Sequence, residues 1–111
     1  MHEMAITQGI VELCLQHAGG RRVMSVEVEV GNLGGVVPEA LEFCFDACSL
    51  DTLLEGAALN IIRIPGGGHC RECGTYSALA TLYDACRHCG SHQVTIENGE
   101  ELRVRSIDIE D

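Results

Sequence analysis

His69-Cys70-Arg71-Glu72-Cys73-Gly74 and, after a spacer, Cys86-Arg87-His88-Cys89-Gly90 are the most informative residues of this chain. Two Cys-x-x-Cys pairs stand twelve residues apart, slightly tighter than common zinc-ribbon spacing. Two cysteines three apart can aim both sulfurs at one ion only if the backbone turns sharply between them. A glycine follows each pair, and glycine accepts a positive φ without a Cβ clash. Four thiolates at tetrahedral corners suit Zn²⁺, and such a closed site leaves no open position for catalysis. Two disulfides, a redox Cys-x-x-Cys, and an iron–sulfur or rubredoxin-type iron centre are the competing readings.

The residues around this stretch bound the rest. A chain of 111 residues holds one domain or two very small ones. It has no Trp and few other aromatics, so its core must be built from Val, Ile, Leu and Ala. The cysteine segment is too small to fold on burial alone, and its metal must supply folding free energy. Seven Lys and Arg against seventeen Asp and Glu give a net charge of -10. That surface repels phosphate backbones, which counts against nucleic-acid binding. No apolar run approaches a membrane span. No basic n-region precedes an apolar h-region, so no secretory signal is read. Seven cysteines, an odd number with four committed to metal, fit a reducing, cytoplasmic setting.

Upstream, Ile6, Ile10, Leu13 and Cys14 fall at i, i+4, i+7 and i+8, one face of an amphipathic helix over Met4 to His17. Gly19-Gly20 caps it. Ser25-Val26-Glu27-Val28-Glu29-Val30 alternates as a strand with Val inward. Pro38 suits the first turn of a second helix, whose apolar stripe is Leu41, Cys44, Phe45 and Cys48. Cys14, Cys44 and Cys48 read as small buried hydrophobes. Ala58 to Ile64 reads as a well-covered strand. Pro65-Gly66-Gly67-Gly68 reads equally as a hinge or as an ordered loop with special φ values.

Downstream, Thr75 to Ala85 suggests a short hairpin, and Val94 and Ile96 a further strand. Asn98-Gly99 signals a tight turn. Leu102 and Val104 alternate with arginines, and the apolar phase then slips to Ile107 and Ile109. A bulge or a change of partner would explain the slip. The last strand is expected to rejoin the first sheet. The resulting expectation is an α+β fold: a small sheet with two helices, formed by residues 1-64 and 99-111, plus an inserted zinc-ribbon domain over residues 65-98.

The N-terminus carries a second candidate site. A free α-amine, the amide nitrogen between residues 1 and 2, and the imidazole of His2 can close fused chelate rings on one ion. Glu3 can add an oxygen or another amide nitrogen. Nitrogen-rich, near-planar coordination suits Ni²⁺ or Cu²⁺. It needs a deprotonated amine, whose unperturbed pKa is about 7.7–8.0, and a neutral imidazole, so affinity should fall with pH. A bulky second residue usually blocks removal of the initiator Met, which keeps His2 second.

Met-His-Glu at the start, an amphipathic helix, a Val/Glu strand ending in Gly31, Pro38-Glu39-Ala40-Leu41 and doubled Cys-x-x-Cys together resemble the HypA/HybF family. These are nickel metallochaperones of [NiFe]-hydrogenase maturation. The resemblance covers essentially the whole chain. It implies transferable Ni(II) cargo at His2, its neighbouring backbone nitrogens and Glu3, and structural Zn(II) at Cys70, Cys73, Cys86 and Cys89. It implies delivery to the hydrogenase large subunit with a GTPase nickel-insertion maturation protein, and in some organisms work with urease accessory proteins. It implies no catalysis. Glu39 is not assigned as a ligand. His69 and His88 are read as exposed or neighbouring residues that could exchange with a thiolate. A homodimer formed by exchange of the last strand or the ribbon stays open. Two other classes compete: a zinc-ribbon protein-interaction module without metal delivery, and a thiol redox enzyme.

Overall fold

A computed structural model describes residues 2–111. The described chain divides into two compact units, the first of residues up to Glu29, Val36–Ile62 and Arg103–Asp111, the second of Val30–Gly35 and Arg63–Leu102. The expected α+β class holds: two helices and two small sheets.

The first unit begins with helix α1 (Glu3–Ala18), which ends where Gly19 turns into the left-handed region at φ 60. Strand β1 (Val23–Gly31) follows, then helix α2 (Pro38–Ser49), with Pro38 in its first turn. Strands β2 (Ala58–Ile64) and β6 (Leu102–Ile109) flank β1 in a three-stranded sheet of order β2-β1-β6. The final strand therefore rejoins the first sheet. Val23, Val26, Val28 and Val30 of β1 are buried, as are Ile10, Val11, Cys14 and Ala18 of α1 and Leu41 and Phe45 of α2. Strand period two brings Val26, Val28 and Val30 onto one inward face, and helix period 3.6 does the same for the helical positions.

Three expectations change in detail. The buried stripe of α1 runs Thr7, Ile10, Val11, Cys14 and Ala18, whereas Leu13 is 40% exposed. The stripe is rotated one position away from Leu13, which instead lines a groove with His17, Val104, Ile107 and Ile109. Strand β2 is not well covered: none of its residues is fully buried. As an edge strand it spends its β-branched residues on pairing and partial cover. Cys14 is buried, but Cys44 and Cys48 are only half-buried.

The phase slip in β6 also has a local account. The Gly31 amide donates to the Glu101 carbonyl, and the Glu110 amide donates to the Arg22 carbonyl. Both pairs obey one antiparallel register, so β6 keeps β1 as its partner throughout. The burial of β1 slips too, from Val23 to Val26. Irregularities in the two strands thus compensate.

The second unit holds strands β3 (Gly66–Cys70), β4 (Tyr76–Leu79) and β5 (Val94–Asn98), paired antiparallel in the order β4-β3-β5. The glycine run is therefore neither hinge nor loop but the central strand of a sheet. Crowding surrounds its glycines, by backbone atoms at Gly66 and Gly68 and by the movable Tyr76 side chain at Gly67. A Cβ on Gly68 would lie 2.0 Å from the Thr95 carbonyl oxygen, one on Gly66 would lie 2.6 Å from Leu33 and from the Leu79 carbonyl oxygen, and one on Gly67 would meet the Tyr76 hydroxyl at 1.9 Å. The register shifts between Gly67 and Gly68, which makes Glu97 the extra residue of β5. Gly99, at φ 114, makes the turn out of β5.

Candidate metal centres

The sulfur cluster is built by two matching knuckles. Each Cys-x-x-Cys closes a turn in which a glycine amide returns to the first cysteine: Gly74 N donates to the Cys70 carbonyl at 2.8 Å, and Gly90 N to the Cys86 carbonyl at 2.9 Å. Gly74 and Gly90 hold φ values of 76 and 78, a conformation that L side chains resist. Inside each turn, amides point at sulfur. Cys73 N lies 3.5 Å from Cys70 Sγ and His88 N lies 3.4 Å from Cys86 Sγ. Strand β3 delivers Cys70, whose amide donates to the Thr75 carbonyl at 3.0 Å, and the Cys86 amide donates to the Ser91 carbonyl at 2.7 Å.

The knuckles bring four sulfurs together. Cys70 Sγ and Cys89 Sγ are 3.6 Å apart, as are Cys73 Sγ and Cys86 Sγ, and all four lie within 4.8 Å of one another. A disulfide would need about 2.05 Å, and all seven cysteines are free. A tetrahedron with Zn–S near 2.3 Å puts its sulfurs about 3.8 Å apart, so the cluster is sized for such an ion. Cys70 and Cys86 are buried while Cys73 and Cys89 are exposed. Among the described residues this is the one group of three or more histidine, cysteine or carboxylate donors close enough to share an ion.

The four thiols are not equivalent. The Thr75 hydroxyl and amide pull the Cys73 thiol down to about 6. The Cys73 amide lowers Cys70. At Cys89 the Ser91 amide acts downward, but the Cys70 sulfur, burial, and the Cys73 and Cys86 sulfurs outweigh it and push the thiol up to about 12. Thiolates packed this closely cannot all ionise without a cation between them.

The two knuckle histidines differ. His69 Nδ1 faces the Glu97 carboxylate, and its ring meets Tyr76 edge-on at 5.3 Å. The Tyr76 hydroxyl donates to Asn98 Oδ1 at 3.1 Å, and Asn98 Nδ2 donates to the Pro65 carbonyl at 2.6 Å. His88 contributes its backbone amide to Cys86. Glu97 as a partner of His69 was not readable from sequence, because the pairing of β3 with β5 that brings them together leaves no pattern in the residues.

The second candidate site lies at the start of α1. The α-amine expected to complete it belongs to Met1 and lies outside the described residues. His2 is exposed and sits at the N-cap of α1, where its carbonyl accepts the Ile6 amide at 3.1 Å. No side chain caps this helix end. Glu3 occupies the first turn, and its Oε2 accepts the Val37 amide at 3.2 Å. That amide, with Glu3's own, holds the Glu3 carboxyl below its ordinary value. Val37 is itself the N-cap residue of α2, so Glu3 ties the beginnings of the two helices together. Glu39 lies in the first turn of α2.

A two-helix α+β unit led by Met-His-Glu, with a four-thiol knuckle unit in the same chain, defines a small metal-handling protein. The family profile described as "Hydrogenase/urease nickel incorporation, metallochaperone, hypA" matches residues 1–109. A hydrogenase maturation factor HypA of Geobacter metallireducens is 53% identical over 110 residues, spanning 99% of this chain and 100% of that one. The HypA of Nostoc punctiforme is 46% identical over 111 residues, spanning 100% of this chain and 97% of that one. The solution structure of the Ni metallochaperone HypA from Helicobacter pylori shares the fold, with a TM-score of 0.68 at 24% identity over 98% of this chain and 97% of that one. The chain belongs to the HypA family of hydrogenase maturation factors. Among the described residues no helix is long and apolar enough to cross a membrane.

Proposed function

We propose that this chain is a nickel carrier that takes Ni(II) at its N-terminus and passes it to the [NiFe]-hydrogenase large subunit, in concert with a GTPase maturation protein. The supporting observation is the exposed His2 at the uncapped start of α1 in a chain of the HypA family. The ligands are the α-amine, the His2 amide nitrogen and imidazole, and Glu3. An amide nitrogen binds nickel only after losing its proton. The first amides of a helix have no intrahelical acceptor, so this loss breaks no helical hydrogen bond. The positive end of the helix dipole favours the resulting anion. Amine and imidazole must also be proton-free, so acid releases the ion.

Glu3 contributes in two ways. Its backbone belongs to the chelating run, and its carboxylate, bonded to Val37, steadies the tail against α2. The protein needs no catalytic group for this work. A near-planar site leaves faces open to an incoming donor, so the ion passes without being set free.

Cys70, Cys73, Cys86 and Cys89 hold Zn(II), which supplies charge neutralisation and cross-linking to a unit with few buried apolar side chains. The carrier works in the cytoplasm, where thiols stay reduced.

The test uses untagged, zinc-loaded protein with its native N-terminus. His2→Ala should abolish strong, stoichiometric nickel binding in calorimetry while zinc stays at about one per chain. Unchanged nickel affinity would refute the assignment and leave a zinc-ribbon interaction module.

A further inference from the structure

Helix α2 carries a face that the fold leaves uncovered. The chain has two phenylalanines. Phe45 is 1% exposed in the core, but Phe43, two residues earlier, is 75% exposed. Ala47 and Leu50 follow Phe43 at i+4 and i+7, and both are exposed, Leu50 at 60%. That spacing puts Phe43 and Ala47 on one side of the helix, with Leu50 following them as the C-cap residue at its end. Glu42 and Asp46 are exposed beside Phe43, and α2 contains no Lys or Arg. A mostly exposed aromatic ring on an ordered helix, in line with a second large apolar side chain and rimmed by one sign of charge, has the make-up of a protein-binding hot spot.

We propose that the Phe43–Ala47–Leu50 stripe docks a protein partner that presents a small apolar pocket ringed by lysine and arginine. Charge selects this occupant. A second copy of the chain would set Glu42 and Asp46 against the same carboxylates, on molecules that each carry a net charge of -10. A basic rim instead meets them with opposite charge, speeds encounter, and orients the pocket over Phe43. The inference rests on the carrier reading in one respect: the partner is a protein that exchanges nickel with this chain.

The experiment titrates zinc-loaded full chain against the purified GTPase maturation protein and the purified large-subunit precursor, at low and moderate salt. The chains are wild type, Phe43→Ala, and the double variant Glu42→Lys/Asp46→Lys. Circular dichroism and nickel stoichiometry are recorded for each. Expected is binding of wild type to at least one of the two, a roughly thirtyfold loss in Phe43→Ala, and weaker, less salt-sensitive binding in the double variant, with nickel stoichiometry unchanged. Equal affinity of wild type and Phe43→Ala overturns the surface and leaves the carrier reading in place. If wild type binds neither protein, delivery and docking fall together. Self-association of wild type that Phe43→Ala abolishes makes the occupant a second copy and overturns the basic partner.

Discussion

Gly68→Ala in the central strand of the knuckle unit tests whether crowding, rather than flexibility, explains the glycine run. The added Cβ would sit 2.0 Å from the Thr95 carbonyl oxygen and 2.8 Å from its carbon. Both are backbone atoms, so no side chain can swing aside. Relief requires β5 to move by about 1 Å, since packed carbon and oxygen rarely approach closer than about 3 Å. That movement strains the adjoining pairs His69↔Thr95 and Cys70↔Val94. Overpacking costs about 1–3 kcal/mol, and one or two weakened backbone hydrogen bonds add about 1 kcal/mol each, for a total of about 2–5 kcal/mol and a central value of about 3 kcal/mol. Gly67→Ala is the control. Its Cβ meets the Tyr76 hydroxyl and ring, and Tyr76 is 46% exposed and can rotate away. The loss is then the Tyr76–Asn98 hydrogen bond, about 1 kcal/mol.

Urea unfolding of the zinc-loaded chain, followed by tyrosine fluorescence, separates the two variants. The chain has no Trp, and its two tyrosines, Tyr76 and Tyr83, both lie in the second unit, so the signal reports that unit alone. With a slope near 1 kcal/mol per molar urea, the midpoint should fall by about 3 M for Gly68→Ala and about 1 M for Gly67→Ala. A signal already unfolded without urea in Gly68→Ala agrees with the larger estimate. Equal midpoints, or the reverse order, would refute the crowding argument.

Other outcomes follow from the same structure. Phe45→Ala should cost the first unit about 3–5 kcal/mol by far-UV dichroism, while Phe43→Ala on the same helix changes stability by less than about 0.5 kcal/mol. Ser49→Ala should be neutral or stabilising by up to about 1 kcal/mol in thermal melts, because the buried Ser49 hydroxyl has no hydrogen-bond partner. Cys73, held at about 6, is a thiolate in metal-free protein at pH 7 and a thiol at pH 5. Proton release on zinc binding should therefore rise by about one per ion between those values, and affinity should fall more steeply below pH 6; indicator-dye titration measures it. Glu3, lowered by the Val37 amide, keeps its tie to α2 at neutral pH and loses it as acid protonates the carboxylate. Val37 amide exchange should accelerate on acidification relative to other α2 amides, and should already be fast in Glu3→Ala.

Sequence pattern and structure agree where side chains carry the signal. Val26, Val28 and Val30 alternate with glutamates, and a strand with that inward face results. Leu41 and Phe45 share a helical stripe, and both are buried. The cysteine spacing foretold the sulfur cluster, because knuckle turns are set by local geometry. Side-chain patterns fail where the backbone does the packing. Gly66-Gly67-Gly68 has no pattern to read, yet forms the centre of a sheet through main-chain pairing. For β2, composition announced a strand but could not say that it lies at a sheet edge. At α1, Leu13 adjoins the stripe, and helical spacing alone does not fix which side of it the core covers. At the N-terminal end, His2 and Glu3 stand out in sequence, but the Val37 amide is a main-chain partner and leaves no trace there.

The glycine-rich strand β3 has a further consequence for the half of the molecule it runs through. With Val30, Leu33, Leu79 and the two inner cysteines as its buried apolar residues, that half keeps little greasy interior to fall back on once its sulfurs are parted. With the proposed zinc in place, a chelator should then act on it as a selective denaturant, melting the ribbon while the helical half stays folded.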